Sequence, residues 1–311
     1  MSVNNQLAKR DQGEQRLGMA AYLKQDAVRN HINSILGSSK GTSFITSIVS
    51  AVQATPALKE CTNQSILSAA LIGESLNLSN SPSLGQFWMI PYKNKKKGTL
   101  EASFQLGANG FKQLAMRTGQ YLDIDFIVIH EGEYKGRDSK TGKQVFEYVS
   151  DDDVRESLPV IGYKASFTLL NGFEKSIYWT RKKMEDHADK YSQAFSIEAY
   201  RKLQNGQIPQ SELWKYSSYW YSNFDGMAEK TLIKHLLSKW GILSTELRTA
   251  LESDMTIEHE DGTKEYVDTE PDVIDMPADE VSQQPQEEPK AEAPQEQATE
   301  PTNVQAALFG N

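Results

Sequence analysis

The sequence predicts an α+β fold. In it a β-hairpin–helix core, a meander of antiparallel strands around one central helix, is flanked by N- and C-terminal helices. Two patterns lead to this prediction: apolar residues recur at helical spacing near both ends of residues 1–251, and they alternate at strand spacing between. Because hairpin signals rather than βαβ units join the strands, we expect antiparallel pairing. A disordered acidic tail is predicted to follow.

The N-terminal region, residues 1–55, is predicted to be helical and to contribute contacts between subunits. A first helix spans about residues 14–36 and is closed by Gly37, and a second spans about residues 42–54. A third helix is expected to begin at Thr62, because threonine is a favoured N-cap residue. This third helix is the first predicted element of the core.

The core, residues 56–251, continues with a predicted hairpin over residues 86–106. In its second strand, apolar residues at even positions from Leu100 to Leu106 alternate with polar ones. A short amphipathic helix follows over residues 107–120. Later strands include a pair joined by Asn171-Gly172, which is a strong hairpin signal. Helices resume after Thr180 and dominate residues 211–251.

The net charge of −9 hides two oppositely charged parts. From Glu252 to the end, 17 acidic residues stand against two basic ones, whereas residues 1–251 hold 31 basic and 25 acidic residues. The region 252–311 is rich in Pro, Gln, Glu and Ala, and such a composition buries too little apolar area to offset ordering entropy. We therefore predict a disordered acidic tail that binds a partner. The basic body predicts a polyanion as ligand.

Several functional classes lack their signals. The single cysteine, Cys61, excludes a disulfide framework and fits a cytoplasmic protein, and no apolar run approaches the roughly 20 residues of a membrane helix. The histidines lack metal-ligand spacing, no phosphate loop predicts ATP binding, and we identify no site for a divalent cation. We expect a protein without cofactor or catalysis. A nuclease that uses Asp123 and Asp125 stays open as an alternative.

Four basic features predict contacts with nucleic-acid phosphates. Two of them belong to the first hairpin and the helix after it. The hairpin turn carries four lysines between residues 93 and 97, beside aromatic residues of the strand. The helix over residues 107–120 places two cations and three amides on one face, which suits hydrogen bonding to phosphates and sugars without regard to sequence.

The other two basic features lie on helices nearer the C-terminus. If Thr180 caps a helix, then residues 181–183 place three cations in its first turn, where the macrodipole is positive. This arrangement costs about 0.3–1 kcal/mol per exposed charge, and a bound anion would offset the cost. Residues 227–240 form an amphipathic helix with Lys230 and Lys234 one turn apart. The residues predicted to contact DNA are Lys93, Lys95, Lys96, Lys97, Gln105, Asn109, Lys112, Arg117, Arg181, Lys182, Lys183, Lys230 and Lys234.

Five blocks of this sequence resemble the RecT family of phage single-strand annealing proteins, in order and in spacing. They cover roughly residues 55–243 and read CTNQSILSAALIGESLNL, LGQFWMIPYKN, FQLGANGFKQLAMRTGQ, YWTRKKMED and MAEKTLIKHLL. The resemblance implies an ATP-independent recombination protein that coats single-stranded DNA made by a partner exonuclease. It further implies pairing with a complementary strand, assembly into rings or filaments, and a C-terminal segment that contacts the exonuclease and a host single-strand binding protein.

The resemblance also assigns residues. The basic positions of the family map onto Lys112, Arg117, Arg181, Lys182, Lys230 and Lys234. The chain departs from the family at Asn109 and Glu229, where cations are common, and this puts the number of phosphate contacts in question.

From these features we expect a basic groove between the Lys95 turn, the Lys112 helix and the Arg181 helix. Phosphates lie in this groove and base edges stay free, so binding has little sequence preference. Subunit contacts are expected from residues 1–55 and from the aromatic segment 214–224, and the site of action is DNA in the bacterial cytoplasm. Besides the nuclease, one further alternative stays open: a structural protein whose basic face binds the acidic tail of a neighbour.

Overall fold

The structure is a computed structural model and describes residues 17–94, 97–192, 194–258 and 264–266. It combines helices with antiparallel strands, which confirms the predicted α+β class. Three 3-10 turns, at Pro56–Glu60, Pro82–Leu84 and Gln210–Tyr216, connect some of these elements. The helices are α1 (Met19–Leu23), α2 (Asp26–Leu36), α3 (Ser38–Ala54), α4 (Asn63–Ser75), α5 (Ala108–Arg117), α6 (Asp152–Ser157), α7 (Arg181–Tyr191), α8 (Ile197–Gln204), α9 (Tyr219–Ser222), α10 (Phe224–Trp240) and α11 (Thr245–Ser253). The strands are β1 (Phe87–Asn94), β2 (Thr99–Leu106), β3 (Tyr121–His130), β4 (Tyr134–Arg137), β5 (Gln144–Phe146), β6 (Val160–Leu169), β7 (Glu174–Thr180), β8 (Thr256–Glu258) and β9 (Lys264–Tyr266).

The N-terminal helices follow the predicted pattern with one difference. The single helix expected over residues 14–36 is two helices, α1 and α2, because Gln25 between them has extended backbone. Gly37 ends α2 with a φ of 79°, a conformation that glycine adopts without strain. Residues 1–16 lie outside the described residues. No described helix combines the length and the apolar composition that crossing a bilayer requires.

The hairpin β1–β2 belongs to the first sheet, the helix α4 packs against β2, and both elements were predicted. Thr62 caps α4 by accepting a hydrogen bond from the backbone of Ser65, which confirms the predicted helix start. The hydroxyl oxygen of Ser65 in turn accepts from the backbone N–H of Ala102 at 2.7 Å, and so fastens the helix to β2. Residues of β1 and β2 pair in antiparallel register from Phe87 opposite Leu106 to Asn94 opposite Thr99.

The predicted polar face of β2 is not exposed. Glu101, Ser103 and Gln105 are as buried as the apolar residues between them. One face of the hairpin belongs to the main core, whereas the other face carries a separate apolar cluster of Trp88, Ile90, Tyr92 and Ile257. Ile257 lies on β8, which pairs with β2. The strand β9 pairs with β8, so the strands of this sheet have the order β1-β2-β8-β9.

The folded part therefore extends past the predicted boundary at residue 252. α11 continues to Ser253, Asp254 is buried, and Thr256 on β8 pairs with Phe104 on β2. The acidic composition of the region predicted disorder, although a short segment that includes β8 is stabilised by its pairing in the sheet. The remainder of the predicted tail, residues 267–311, lies outside the described residues.

A second sheet has the order β3-β6-β7 and carries the C-terminal helices. The strands β6 and β7 form the hairpin predicted at Asn171-Gly172, and Gly172 has a φ of 82°. Thr180 then caps α7 by accepting from the backbone N–H of Lys183 at 3.2 Å, as predicted. The long helix α10 packs against α5, the helix that follows β2, and against β6 of this sheet. It thereby brings the two parts of the predicted DNA-binding surface together.

Candidate nucleic-acid interface

The helices α5 and α10 are joined at the surface by an ion pair between two positions that the family resemblance had singled out. Nζ of Lys112 lies 2.8 Å from Oε1 of Glu229. Glu229 is one of the two departures from the family's cations, and the structure gives it a role as partner of Lys112. The pair reduces the positive potential that Lys112 alone would offer a phosphate.

A buried carboxylate pairs with Lys234 of α10. Oδ1 of Asp254 accepts from the backbone N–H of Leu106 at 2.9 Å, and Oδ2 accepts from Nζ of Lys234. Burial opposes the charged form of Asp254. The positive charges of Lys234 and Lys230, together with the hydrogen bonds, nevertheless bring its pKa below the ordinary value. The folded segment after residue 252 thus supplies the counter-charge of the predicted DNA-binding helix.

The side-chain amide of Gln105 lies next to these lysines. Its Oε1 accepts from Nζ of Lys230 at 3.2 Å, which fixes the orientation of the amide. Its Nε2 is buried and has no hydrogen-bond partner in the described structure. Gln105, Lys230 and Lys234 were each predicted as DNA contacts, and the structure places them together.

These three residues line one cavity of about 360 Å³, which we call the Gln105 cavity. Its lining includes aromatic side chains, and Lys183 borders one of them, since its Nζ lies 4.3 Å from the ring centroid of Trp179. Further lining residues include Trp179, His187, Tyr191, Trp220, Met227, His235 and Asp254. Of these, the sequence pointed only to Trp220, within the aromatic segment 214–224, and to Met227, within the amphipathic helix over residues 227–240. The others gave no signal, because they lie far apart along the chain and only the fold brings them together.

Two histidines of the Gln105 cavity are kept neutral by their surroundings. His187 and His235 each have a ring centroid 5.1 Å from that of Trp179. Burial lowers the pKa of His187, and the charges of His235, Lys183 and Lys190 lower it further. The pKa of His235 is lowered by burial and then by Lys239 and Lys183. The lowered pKa values favour the neutral forms of the two imidazoles, whereas the charged side chains of Lys230, Lys234 and Asp254 also line the cavity.

Arg181 occupies an internal position. Its guanidinium donates to Asp225 at 3.0 Å, to the hydroxyl of Tyr200 at 2.7 Å, and to Tyr163, and it lies 3.8 Å from the ring centroid of Phe224. Its Nε donates to Glu185 at 3.3 Å. The expected cost of three cations in the first turn of α7 is thus offset within the chain, without a bound anion. Contact of Arg181 with a phosphate stays a prediction.

The neighbours of Arg181 point in other directions. Lys182 is exposed and pairs with Asp186 at 2.9 Å, one turn along the same helix. Lys183 covers Trp179, as described above. Of the three cations predicted at this helix start, Lys182 is therefore the one whose replacement should disturb the fewest contacts with the rest of the fold.

The two ends of α5 face a different cleft. Arg117 donates from Nη1 to the carbonyl oxygen of Leu76 at 2.7 Å and from Nη2 to that of Asn77 at 2.6 Å. These bonds satisfy carbonyl groups at the C-terminus of α4. Asn109 donates to the carbonyl oxygen of Leu84 at 3.2 Å. The predicted polar face of α5 is thus shared between this loop and α10.

The basic hairpin turn is described in part. Lys93 is exposed, and Nζ of Lys97 lies 3.2 Å from Oε1 of Glu101, whose other oxygen accepts from Asn94 at 2.9 Å. Lys95 and Lys96, both predicted as DNA contacts, lie outside the described residues. Of the three sides of the predicted groove, the described residues therefore include the α5 and α7 sides and only part of the turn.

The carboxylates of the nuclease alternative gain no support from the structure. Asp123 and Asp125 are exposed on β3. No group of three or more His, Cys, Asp or Glu side chains suited to hold a metal ion occurs within the described ranges. The nuclease alternative is therefore supported only by the spacing of Asp123 and Asp125 along one strand.

Comparison with known proteins shows what the chain is similar to. The RecT family model matches residues 42–271. The chain is 34% identical over 305 residues to the uncharacterized protein YqaK of Bacillus subtilis (strain 168), covering 96% of this chain and 93% of the relative. It is 25% identical over 211 residues to Protein RecT of Escherichia coli (strain K12), covering 65% of this chain and 67% of the relative.

Proposed function

The chain belongs to the RecT family, whose members bind DNA and anneal single strands in recombination, and from this premise we propose how it does so. It binds single-stranded DNA through phosphate contacts, pairs the bound strand with a complementary one, and uses no ATP. Neighbouring subunits continue the bound strand as a filament or ring. Contacts between subunits come from residues 1–55 and from the aromatic segment 214–224.

The observation that carries this proposal is the convergence of predicted contacts on one place. Gln105 comes from β2, Lys183 from α7, and Lys230 and Lys234 from α10, and all four line or border the Gln105 cavity. The convergence lies inside the region that matches the family. Cations gathered around one concave surface favour a polyanion whose phosphates lie at its rim, and phosphate contacts carry no sequence information.

The phosphate contacts are tested with an exposed lysine. Lys182→Ala removes a charge whose ion pair with Asp186 lies at the surface and contributes about 0–1 kcal/mol, so the fold is expected to survive. Binding to single-stranded DNA should weaken alike for every sequence. The slope of log K against log salt should fall in magnitude by about 0.7 for each phosphate that the variant no longer neutralises.

Lys202→Ala is the matched control, because Lys202 on α8 also pairs with an acid one turn away, Glu198, at 3.8 Å. It removes the same charge at a site that is not predicted to touch DNA. An equal fall in slope for both variants would mean that overall charge, not a phosphate bound at Lys182, governs binding.

The C-terminal region is proposed to bind partners, an exonuclease or a single-strand binding protein. In the alternative structural protein, the same acidic region would bind the basic face of a neighbour. A chain that ends at residue 266 separates the two, because it removes the remainder of the tail and keeps β8 and β9. Retained single-strand binding and retained oligomers favour annealing, whereas loss of the oligomers favours the structural protein.

A further inference from the structure

The Gln105 cavity has a donor without an acceptor. Gln105 is only 4% exposed, and its Nε2 hydrogens are unpaired in the described structure, while its Oε1 is held by Lys230. A buried donor without a partner costs about 1–3 kcal/mol, so native structures rarely keep one without a reason. An acceptor atom on a ligand would remove this cost.

The walls of the cavity indicate what kind of molecule carries that acceptor. Trp179, Trp220 and Met227 present apolar surface, and Tyr191 stands at the mouth with 61% of its surface exposed. The volume of 360 Å³ lies in the range of small-molecule sites, about 300–1,000 Å³. Such walls suit a flat ring, because aromatic side chains and bases stack.

A phosphate fits this place less well than a ring. It would bring negative charge into the cavity that holds the buried carboxylate of Asp254, and Lys234 is already paired with that carboxylate. It would also leave the apolar walls without a partner. The neutral state of His187 and His235 agrees with an uncharged occupant.

We infer that the Gln105 cavity receives one unstacked base of the bound single strand and that a carbonyl oxygen of this base accepts from Nε2 of Gln105. The inference rests on the proposed function. Thymine, cytosine and guanine carry such an oxygen, whereas adenine does not. The phosphates on either side of the base lie outside the cavity, and Lys183, whose Nζ lies 4.3 Å from the ring centroid of Trp179, is placed to contact one of them. A base held here cannot pair, so the complementary strand withdraws it as the duplex forms.

The test compares an oligothymidylate with an abasic deoxyribose-phosphate strand of equal length, bound to the full-length protein and to Gln105→Met. The Met variant keeps a side chain of similar length and lacks the donor. We expect the preference for thymidylate over the abasic strand, which is a ratio of two affinities, to fall about fivefold in the variant, the value of one neutral hydrogen bond. Gln113→Met is the matched control, since Gln113 is exposed on α5 and does not line the cavity. It should keep the full preference.

The outcomes separate this inference from the proposed function. If Gln105→Met weakens both strands equally, Gln105 acts on the backbone and the inference is wrong, while the proposed function stands. If the unaltered protein binds no single-stranded DNA, the proposed function itself fails.

A second measurement needs no variant and so does not depend on whether Gln105→Met folds. A single thymine or guanine placed in an abasic strand should tighten binding to the unaltered protein more than a single adenine does. An equal effect of the three bases would overturn the inference.

Discussion

Replacing Lys234 with methionine tests how the predicted DNA-binding helix depends on the folded segment that includes Asp254. Asp254 has no exposed side-chain surface, whereas Lys234 keeps 37% of its own. Removing the lysine leaves a buried carboxylate without its main counter-charge. Losses of this kind cost about 3–5 kcal/mol, and because Lys230 and the N–H of Leu106 still face Asp254, we expect the lower end, about 3 kcal/mol.

Two further variants isolate the cause of that loss. Asp254→Asn leaves Lys234 free to turn into water, so its cost should be smaller, about 1–3 kcal/mol. The double variant Lys234→Met, Asp254→Asn should be more stable than Lys234→Met alone, because no charge is then left unpaired. The assay is urea unfolding followed by tryptophan fluorescence and circular dichroism. A double variant no more stable than the single one would refute the reasoning.

The same pair predicts a pH dependence. The pKa of Asp254 is lowered in the folded protein, so the stability it contributes is full above the unfolded pKa and is lost as pH falls through the folded pKa. Lys234→Met raises the folded pKa and should start acid unfolding at a higher pH. Loss of DNA binding in a Lys234 variant is therefore interpretable only for the fraction of protein that stays folded.

Three further predictions follow from the described contacts. A chain that ends at residue 266 should unfold at the same urea concentration as the full chain, whereas one that ends at residue 251 should be less stable, because it lacks Asp254 and the strand that pairs with β2. Arg181→Ala should lower the free energy of unfolding by about 1–3 kcal/mol, because several polar groups lose their partner; unchanged stability in urea would contradict the internal position of Arg181. As pH falls below the ordinary histidine value of 6.5, the free energy of unfolding should fall, since His187 and His235 are held neutral in the fold. Glutamine at both histidine positions should flatten that dependence in urea titrations at several pH values, and an unaltered slope would show that other groups cause it.

The elements of the fold were predictable where local signals were strong. Thr62 and Thr180 start helices because a hydroxyl at an N-cap accepts from the backbone two or three residues on, which is a local interaction. Asn171-Gly172 turns the chain because glycine tolerates a positive φ. Such features depend on neighbouring residues, so the sequence alone indicates them.

The burial of β2 and the end of the folded part were not predictable in the same way. The polar residues Glu101, Ser103 and Gln105 alternate as on an exposed face, yet Ile257 and its neighbours return about 150 residues later and complete the sheet. This pairing joins residues far apart in the chain, so no local sequence pattern predicts it. The acidic composition after residue 252 pointed to disorder and outweighed the short apolar pattern of residues 255–257.

The sequence pointed to the cations of the candidate site, whose contact with DNA stays a prediction, and it did not show which acids and rings pack beside them. Sequence reasoning identified Lys112, Lys230 and Lys234 by charge, and it treated each as free to meet a phosphate. The structure shows each of them with a partner in the chain: Glu229, Gln105 and Asp254. Which acid meets which lysine depends on tertiary packing between helices far apart in sequence, and charge patterns along one helix do not contain that information.

The most direct test of the central claim follows duplex formation between two complementary labelled oligonucleotides, without ATP and against the spontaneous rate. We predict that the protein accelerates pairing, retains both strands, and loses the acceleration as salt is raised. Tight binding of single strands without any acceleration would contradict annealing. It would leave a protein that only coats single-stranded DNA.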